Sequence, residues 1–166
     1  MTRRSIVLLR HAKAEQPEQM ADEQRGLTPR GHSDAAHAGQ WLAEHQLWPQ
    51  LVLCSPARRT RQTWQEVAAA GPPAPARFEP RLYGGTAVDL LDLVRQLDDS
   101  VSRVLIVGHN PTVSYASALL DPIGASDSGL RTCGIAAHEF TGEWTACGPQ
   151  AAPATRTYTA RAAGTS

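Results

Sequence analysis

Lysine is almost missing from this chain: Lys13 stands alone beside fifteen arginines among 166 residues. The bias itself reads as base composition, yet it has a consequence. Any oxyanion bound here must be held by arginine, whose planar fork grips two oxygens at once. Cysteine is scarce too. Cys54, Cys133 and Cys147 are an odd number in no CxxC spacing, which argues against a disulfide framework or a zinc cluster and fits a reducing compartment. Neither sign of charge is in excess, since sixteen basic residues balance sixteen acidic ones. Bulk attraction to nucleic acid or to an anionic membrane is thereby disfavoured, while a local basic pocket is not. No apolar run approaches a membrane span, and the N-terminal one is too short for a signal peptide. The expected protein is soluble and cytoplasmic, with no nucleic-acid or membrane partner.

What is present is a series of short apolar runs alternating with amphipathic segments. The length suits one ordinary domain, placed at residues 1–148, followed by a tail over 149–166 that is ordered in part at most. Residues 6–9 read as a buried strand that stops at Arg10 and His11. Residues 12–27 have no periodicity, and so long a loop beginning right after His11 reads as a functional flap. Thr28 and Pro29 open a helix over 29–46. His32, His37 and His45 lie on it at spacings of five and eight, unlike the three or four that ligation of a metal from one face requires.

A second strand over 51–54 ends in Ser55 and Pro56, read as the cap and first residue of a helix to about residue 70. Arg58, Arg59 and Arg61 crowd its positive end, which is unfavourable without an anion nearby. A short extended piece lies around 77–79. Thr86 and Asp89 have capping-box spacing and open a helix to about residue 98. The third strand, 104–107, runs into Gly108, His109, Asn110 and Pro111, with Asn110 as the cap of a helix ending about Leu120. Residues 133–140 and 143–147 read as two strands turning at Thr141 and Gly142, with an edge segment near Tyr158. His138 falls in these late strands and takes no role. The alternation predicts an α/β protein, a three-layer α/β/α sandwich around a largely parallel sheet.

Three strands thus finish in polar clusters: Arg10 with His11, Ser55 to Arg59, and His109 with Asn110. In a parallel sheet those ends share one edge and converge, and helix N-termini there attract anions. Two histidines and several arginines in one cleft describe a phosphate site with a nucleophile. No Walker-type lysine loop and no carboxylate cluster for a metal accompanies them.

With these stretches in view, the chain resembles the histidine phosphatase (phosphoglycerate-mutase-like) superfamily, and within it the small SixA-type phosphohistidine phosphatases. The matching motifs are LRHAKA at 9–14, LTPRG at 27–31, SPARRTRQT at 55–63 and VLIVGHNPTV at 104–113, so the resemblance spans about residues 5–120. It implies the phosphoglycerate-mutase-like fold and His11 as nucleophile, with Arg10 as its neighbouring phosphate ligand. In SPxxRxxQT the phosphate-binding arginine follows the serine by four, which selects Arg59. His109 becomes the second site histidine, and the Asn110 backbone N–H also faces phosphate. Neither cofactor nor metal is implied.

Two departures from the family pattern matter. Ala12 replaces the glycine that usually follows the nucleophile. Asn110 stands where the acid phosphatase branch carries an aspartate proton donor. A mutase-type acid belongs between the second helix and third strand, where Glu79 and Asp89 are the weak candidates, and Asp89 already has a capping explanation. An alcohol leaving group needs a proton, whereas imidazole departs near its own pKa of about 6.5. An acid-poor site therefore leans towards phosphohistidine in proteins, with inorganic phosphate as product. The alternatives are a small phosphomonoester, with Glu79, Asp89, Glu15 or Asp22 as donor, and a non-catalytic phosphate-binding module.

Overall fold

Apolar runs without polar alternation need cover on both faces, and the strand β1, Arg3–Arg10, has it. In the computed structural model, which describes residues 2–162, Val7 and Leu9 pack with Ala35, Ala38, Leu42, Trp64 and Val67 on one face of the sheet. Ile6 and Leu8 pack with Leu90, Leu91, Val94, Val113, Ala116 and Leu120 on the other. The first group belongs to helices α1 (Pro29–Glu44) and α2 (Arg58–Ala68), the second to α3 (Ala87–Arg95) and α4 (Thr112–Leu120). The strands β2 (Leu51–Cys54), β3 (Ala76–Phe78), β4 (Arg103–Gly108), β5 (Gly134–Thr141) and β6 (Ala154–Thr159) complete the α/β/α sandwich.

The six strands run in the order β3-β2-β4-β1-β5-β6. The four on the β3 side are mutually parallel, each joined to the next in sequence through a helix that crosses over the sheet, and β5 and β6 add antiparallel neighbours at the other edge. Pairing of Arg10 with Gly108 in β4, and of Cys54 in β2 with Val107, brings the three strand ends level.

Thr28 caps α1 as its sequence demands, its hydroxyl accepting from the Gly31 N–H at 2.9 Å, and Thr86 with Asp89 completes the capping box of α3. Three expectations are corrected. Helix α2 starts at Arg58 rather than Pro56, because the Ser55 hydroxyl turns to His109 instead of capping a helix. Helix α4 starts at Thr112, and the Asn110 side chain reaches across to the Leu130 carbonyl at 2.7 Å. Residues 144–146 form a 3-10 turn, not a strand; the indole of Trp144 is buried and donates to the Val101 carbonyl at 2.8 Å. The outer antiparallel partner of β5, on the side away from β1, is β6, which includes Tyr158. The expectation of a loose end falls largely on residues 163–166, outside the described residues.

All three cysteines are buried and unpaired. Burial pushes the thiols of Cys54 and Cys133 up to about 12 and that of Cys147 to about 11, so they are inert as nucleophiles near neutrality. His32 and His45 sit on Glu66 and the Trp41 carbonyl, and His37 on the Tyr158 hydroxyl. His138, fully buried, bonds Ser117 Oγ and the Ala152 carbonyl. Among the described residues no helix is long and apolar enough to cross a membrane.

Candidate active site

The level strand ends place the two site histidines side by side. His11 continues β1, its N–H donating to the Gly108 carbonyl at 3.0 Å, and the rings of His11 and His109 lie 5.4 Å apart between centroids. His11 is buried, and its Nδ1 lies 2.7 Å from the Ala12 carbonyl oxygen. A carbonyl only accepts, so Nδ1 carries the ring proton and Nε2 presents its lone pair. Burial, reinforced by the charges of Arg59, Arg10 and Arg25, lowers the His11 pKa to about 4, and the ring is neutral at pH 7.

His109 is set by Ser55. The Ser55 hydroxyl accepts from the Ala57 N–H at 3.3 Å and lies 2.8 Å from His109 Nε2. Burial, then Arg59, lowers the His109 pKa to about 3, so this ring is also neutral and can hold one proton only. If Nε2 held it, the buried Ser55 proton would have no acceptor. Ser55 therefore donates to Nε2, and the ring proton sits on Nδ1, which is buried without a partner.

Three more buried donors share that condition: Nε of Arg10 and Nε of Arg59 in the site, and Nε of Arg103 at the opposite end of β4. Arg10 otherwise donates through Nη1 to the Leu130 carbonyl at 3.2 Å. Arg59 is buried, with Nη1 on the Asp22 carbonyl at 2.8 Å and Nη2 on Asp22 Oδ2 at 3.0 Å. Unpaired buried donors are costly. Arg10, Arg59 and His109 line one cleft with the neutral His11, a donor set that can hold an anion such as a phosphoryl group.

The surrounding motifs hold this arrangement. Thr63 Oγ1 accepts from the Ala12 N–H at 3.1 Å and donates to the Arg59 carbonyl, tying the residue after His11 to α2. Gln62 Oε1 accepts from the Leu27 N–H at 2.7 Å. Ala12 is fully buried and takes none of the left-handed backbone conformations that would demand glycine. On the 12–27 loop, Asp22 meets Arg59, Arg25 and the Tyr83 hydroxyl, which donates to Oδ2 at 2.6 Å. Tyr83 foremost, then Arg59 and Arg25, holds the Asp22 carboxyl well below the usual range.

A cleft of about 440 Å³ opens over these groups, lined by Arg10, His11, Arg59, His109 and Asn110. Lys13, Arg25, Arg30, Asp34 and Arg161 also line it and were not singled out from sequence for this site. Lys13 and Arg25 come from the loop after β1, Arg30 and Asp34 from α1, and Arg161 from the chain after β6. Lys13 and Arg30 fall inside the LRHAKA and LTPRG motifs, whereas Arg25, Asp34 and Arg161 carry no motif signal. Glu79 and Asp89 are not among the lining residues. Asp89 is committed to the cap of α3, and Glu79 lies at the end of β3, where its N–H donates to the Cys54 carbonyl. Among the described residues no three His, Cys, Asp or Glu side chains gather as a metal-ligand group.

A sandwich of this topology with paired histidines and arginines at its strand ends is the architecture of a phosphoryl-transfer enzyme, and the comparisons specify which. The model of the histidine phosphatase superfamily (branch 1) matches residues 6–83, and phosphohistidine phosphatase SixA of Escherichia coli is 30% identical over 120 residues, covering 70% of this chain and 74% of that protein. The chain belongs to the histidine phosphatase superfamily. It is also similar to an uncharacterised protein of Mycobacterium tuberculosis, 38% identical over 144 residues, 82% of this chain and 89% of that one. A structure from Nakamurella multipartitia, described as a SixA-type phosphohistidine phosphatase, superposes with a TM-score of 0.82 at 31% identity, covering 96% and 98% of the two chains. Membership, with SixA-type relatives, supports phosphatase activity on a phosphorylated substrate with phosphate as product.

Proposed function

We propose that the chain is a metal-independent phosphatase that carries phosphoryl groups on His11, and that its substrate is phosphohistidine in a protein. The supporting observation is the conjunction of the free Nε2 of a neutral His11 with three buried, unpartnered donors, Arg10 Nε, Arg59 Nε and His109 Nδ1. His11 Nε2 attacks phosphorus, and the P–N bond of the substrate breaks. The donors take the charge spread over the equatorial oxygens in the transition state. Water then attacks the phosphohistidine, the Nε2–P bond breaks, and phosphate leaves.

The leaving group follows from the acids at hand. Asp22, beside Arg59, is held ionised by Tyr83 and Arg59. Asp34, the one carboxylate among the described residues lining the cleft, is occupied by the Ala162 N–H and faces the guanidiniums of Arg30 and Arg161. A substrate imidazole protonated on its far nitrogen departs as a neutral ring and needs no proton from either. Exposed residues such as Lys13 and Arg30 line the cleft, which leaves it accessible to a histidine borne on a protein surface.

Incubation with a phosphohistidine peptide and with simple phosphomonoesters, chelator present, tests this reading. The peptide is expected to turn over faster, through an acid-labile, alkali-stable phosphoenzyme. His11→Ala is expected to lack that phosphoenzyme and to lose at least about 10³-fold in kcat. Near-normal turnover by His11→Ala would sink the nucleophile assignment, and loss of activity with chelator would sink the metal-free route.

A further inference from the structure

The cleft holds more positive charge than a phosphoryl group requires, and the surplus is concentrated at its outer half. Within the cleft His11 and Arg59 are buried. Its more exposed lining, the outer half, carries Lys13, Arg30 and Arg161 against one carboxylate, Asp34, while Arg25 is paired with Asp22. Lys13, the chain's single lysine, is exposed, and the side chains of Arg30 and Arg161 are 51% and 36% exposed.

This outer wall is built rather than incidental. Asp34 is buried, and its Oδ1 accepts from the Ala162 N–H at 2.9 Å, fastening the chain that leaves β6 against α1. That anchorage brings Arg161 to the cleft, where its Nη1 donates to the carbonyls of Thr132 at 2.9 Å and Ala160 at 2.7 Å. Asp34 Oδ2 lies 3.9 Å from Arg30 and 3.8 Å from Arg161, beyond direct hydrogen bonding to either. Arg30 also stands in the first turn of the sixteen-residue α1, which has no acidic residue there. A cation at the positive end of a helix is unfavourable, and one carboxylate divided between two arginines does not neutralise both.

We infer that the outer half of the cleft is a subsite for a second negative charge on the substrate, a carboxylate flanking the phosphorylated residue. On the phosphohistidine reading, on which this rests, the enzyme selects phosphohistidine set in an acidic stretch of its protein partner. The subsite acts through binding, so its effect falls on KM. Like other partly exposed ion pairs, it weakens as salt rises.

The test compares phosphohistidine peptides whose neighbouring residues are glutamate or glutamine, with the full chain as enzyme. The Glu peptide is expected to have a kcat/KM roughly three- to tenfold higher at low salt, mainly through KM. Arg30→Gln and Arg161→Gln are expected to bring that ratio near one, and Arg30→Glu to invert it in favour of a lysine-flanked peptide. Because Arg161→Gln disturbs the anchored chain, Lys13→Gln, whose side chain is exposed, provides a second reading and is expected to lower the ratio. Equal rates on the two peptides in the unmodified enzyme overturn the subsite, as does a ratio that survives all these substitutions. If neither peptide is hydrolysed while aryl phosphates are, the phosphohistidine reading fails alone. N-acetyl-phosphoserine is then compared with its carboxamide: a preference for the acid, lost in Arg161→Gln, upholds the subsite, and equal rates overturn it.

Discussion

His11 and His109 are chemically alike, and their partners make them different. A carbonyl behind His11 forces its proton onto Nδ1 and leaves a lone pair on Nε2. The hydroxyl beside His109 leaves the proton on the same atom, Nδ1, but occupies Nε2, so that the N–H and not the lone pair is left without a partner. One ring is thereby suited to attack and the other to donate, although both are neutral through burial. Ser55 is then a positioning residue. Ser55→Ala is expected to lower kcat by roughly ten- to a hundredfold, the range seen when the partner that orients a functional histidine is removed. The ¹⁵N shifts of His109 are expected to report a changed tautomer mixture, and Ser55→Thr to restore both. An unchanged tautomer with kcat within about twofold of the unmodified enzyme contradicts the assignment.

Among the elements, α1 and α2 serve as clamps on the loop that follows the nucleophile. Gly31 of the LTPRG stretch lets α1 approach so closely that an added Cβ would lie 2.2 Å from the Lys13 carbonyl oxygen, which is backbone and cannot swing aside. That oxygen also accepts from the Thr28 N–H at 2.9 Å, so the start of the helix and the chain two residues past His11 are fastened together. Gly31→Ala is expected to cost about 1–3 kcal/mol of stability, the usual penalty for overpacking, measured as a lowered urea midpoint with an unchanged slope. A midpoint within error of the unmodified chain would show that the loop yields freely. From α2, Gln62 and Thr63 hold Leu27 and Ala12, which accounts for the QT that closes the SPARRTRQT motif.

For the molecule as a whole, burying two neutral histidines between arginines links stability to pH. Folding lowers their pKa values from an ordinary 6.5 to about 4 for His11 and about 3 for His109, and that of His138 is lowered too. The unfolded chain therefore binds more protons than the folded one below pH 6.5. By linkage, stability is fully present above that value and is lost as pH falls towards the folded pKa values. Thermal unfolding midpoints are expected to be steady from pH 8 to 7 and to decline from pH 6.5 to 4. His11→Gln is expected to flatten part of the decline, and a flat midpoint down to pH 4.5 in the unmodified chain would count against buried neutral rings.

Much of this was legible in the residues because the signals are local. Runs of four apolar residues ending in Arg-His, Ser-Pro or Gly-His mark buried parallel strands and the edge where they converge, and Thr28-Pro29 and Thr86–Asp89 are caps whose bonds close within one helical turn. Where local rules failed, a tertiary partner outbid them. Ser55 and Asn110 look like helix caps, yet each bonds a residue more than fifteen positions away, His109 and Leu130. Residues 143–147 lost their place beside β5 to β6, whose strand lies beyond a turn that buries Trp144. Sequence by itself therefore determined the sandwich, the family motifs and the meeting of His11, Arg10, Arg59 and His109, because strand direction and motif order suffice for those. Only the tertiary structure decided which nitrogen of each histidine carries the proton and which cations face the outer cleft. Both depend on contacts between distant segments, such as Ser55 with His109 and Asp34 with Ala162, that no spacing encodes.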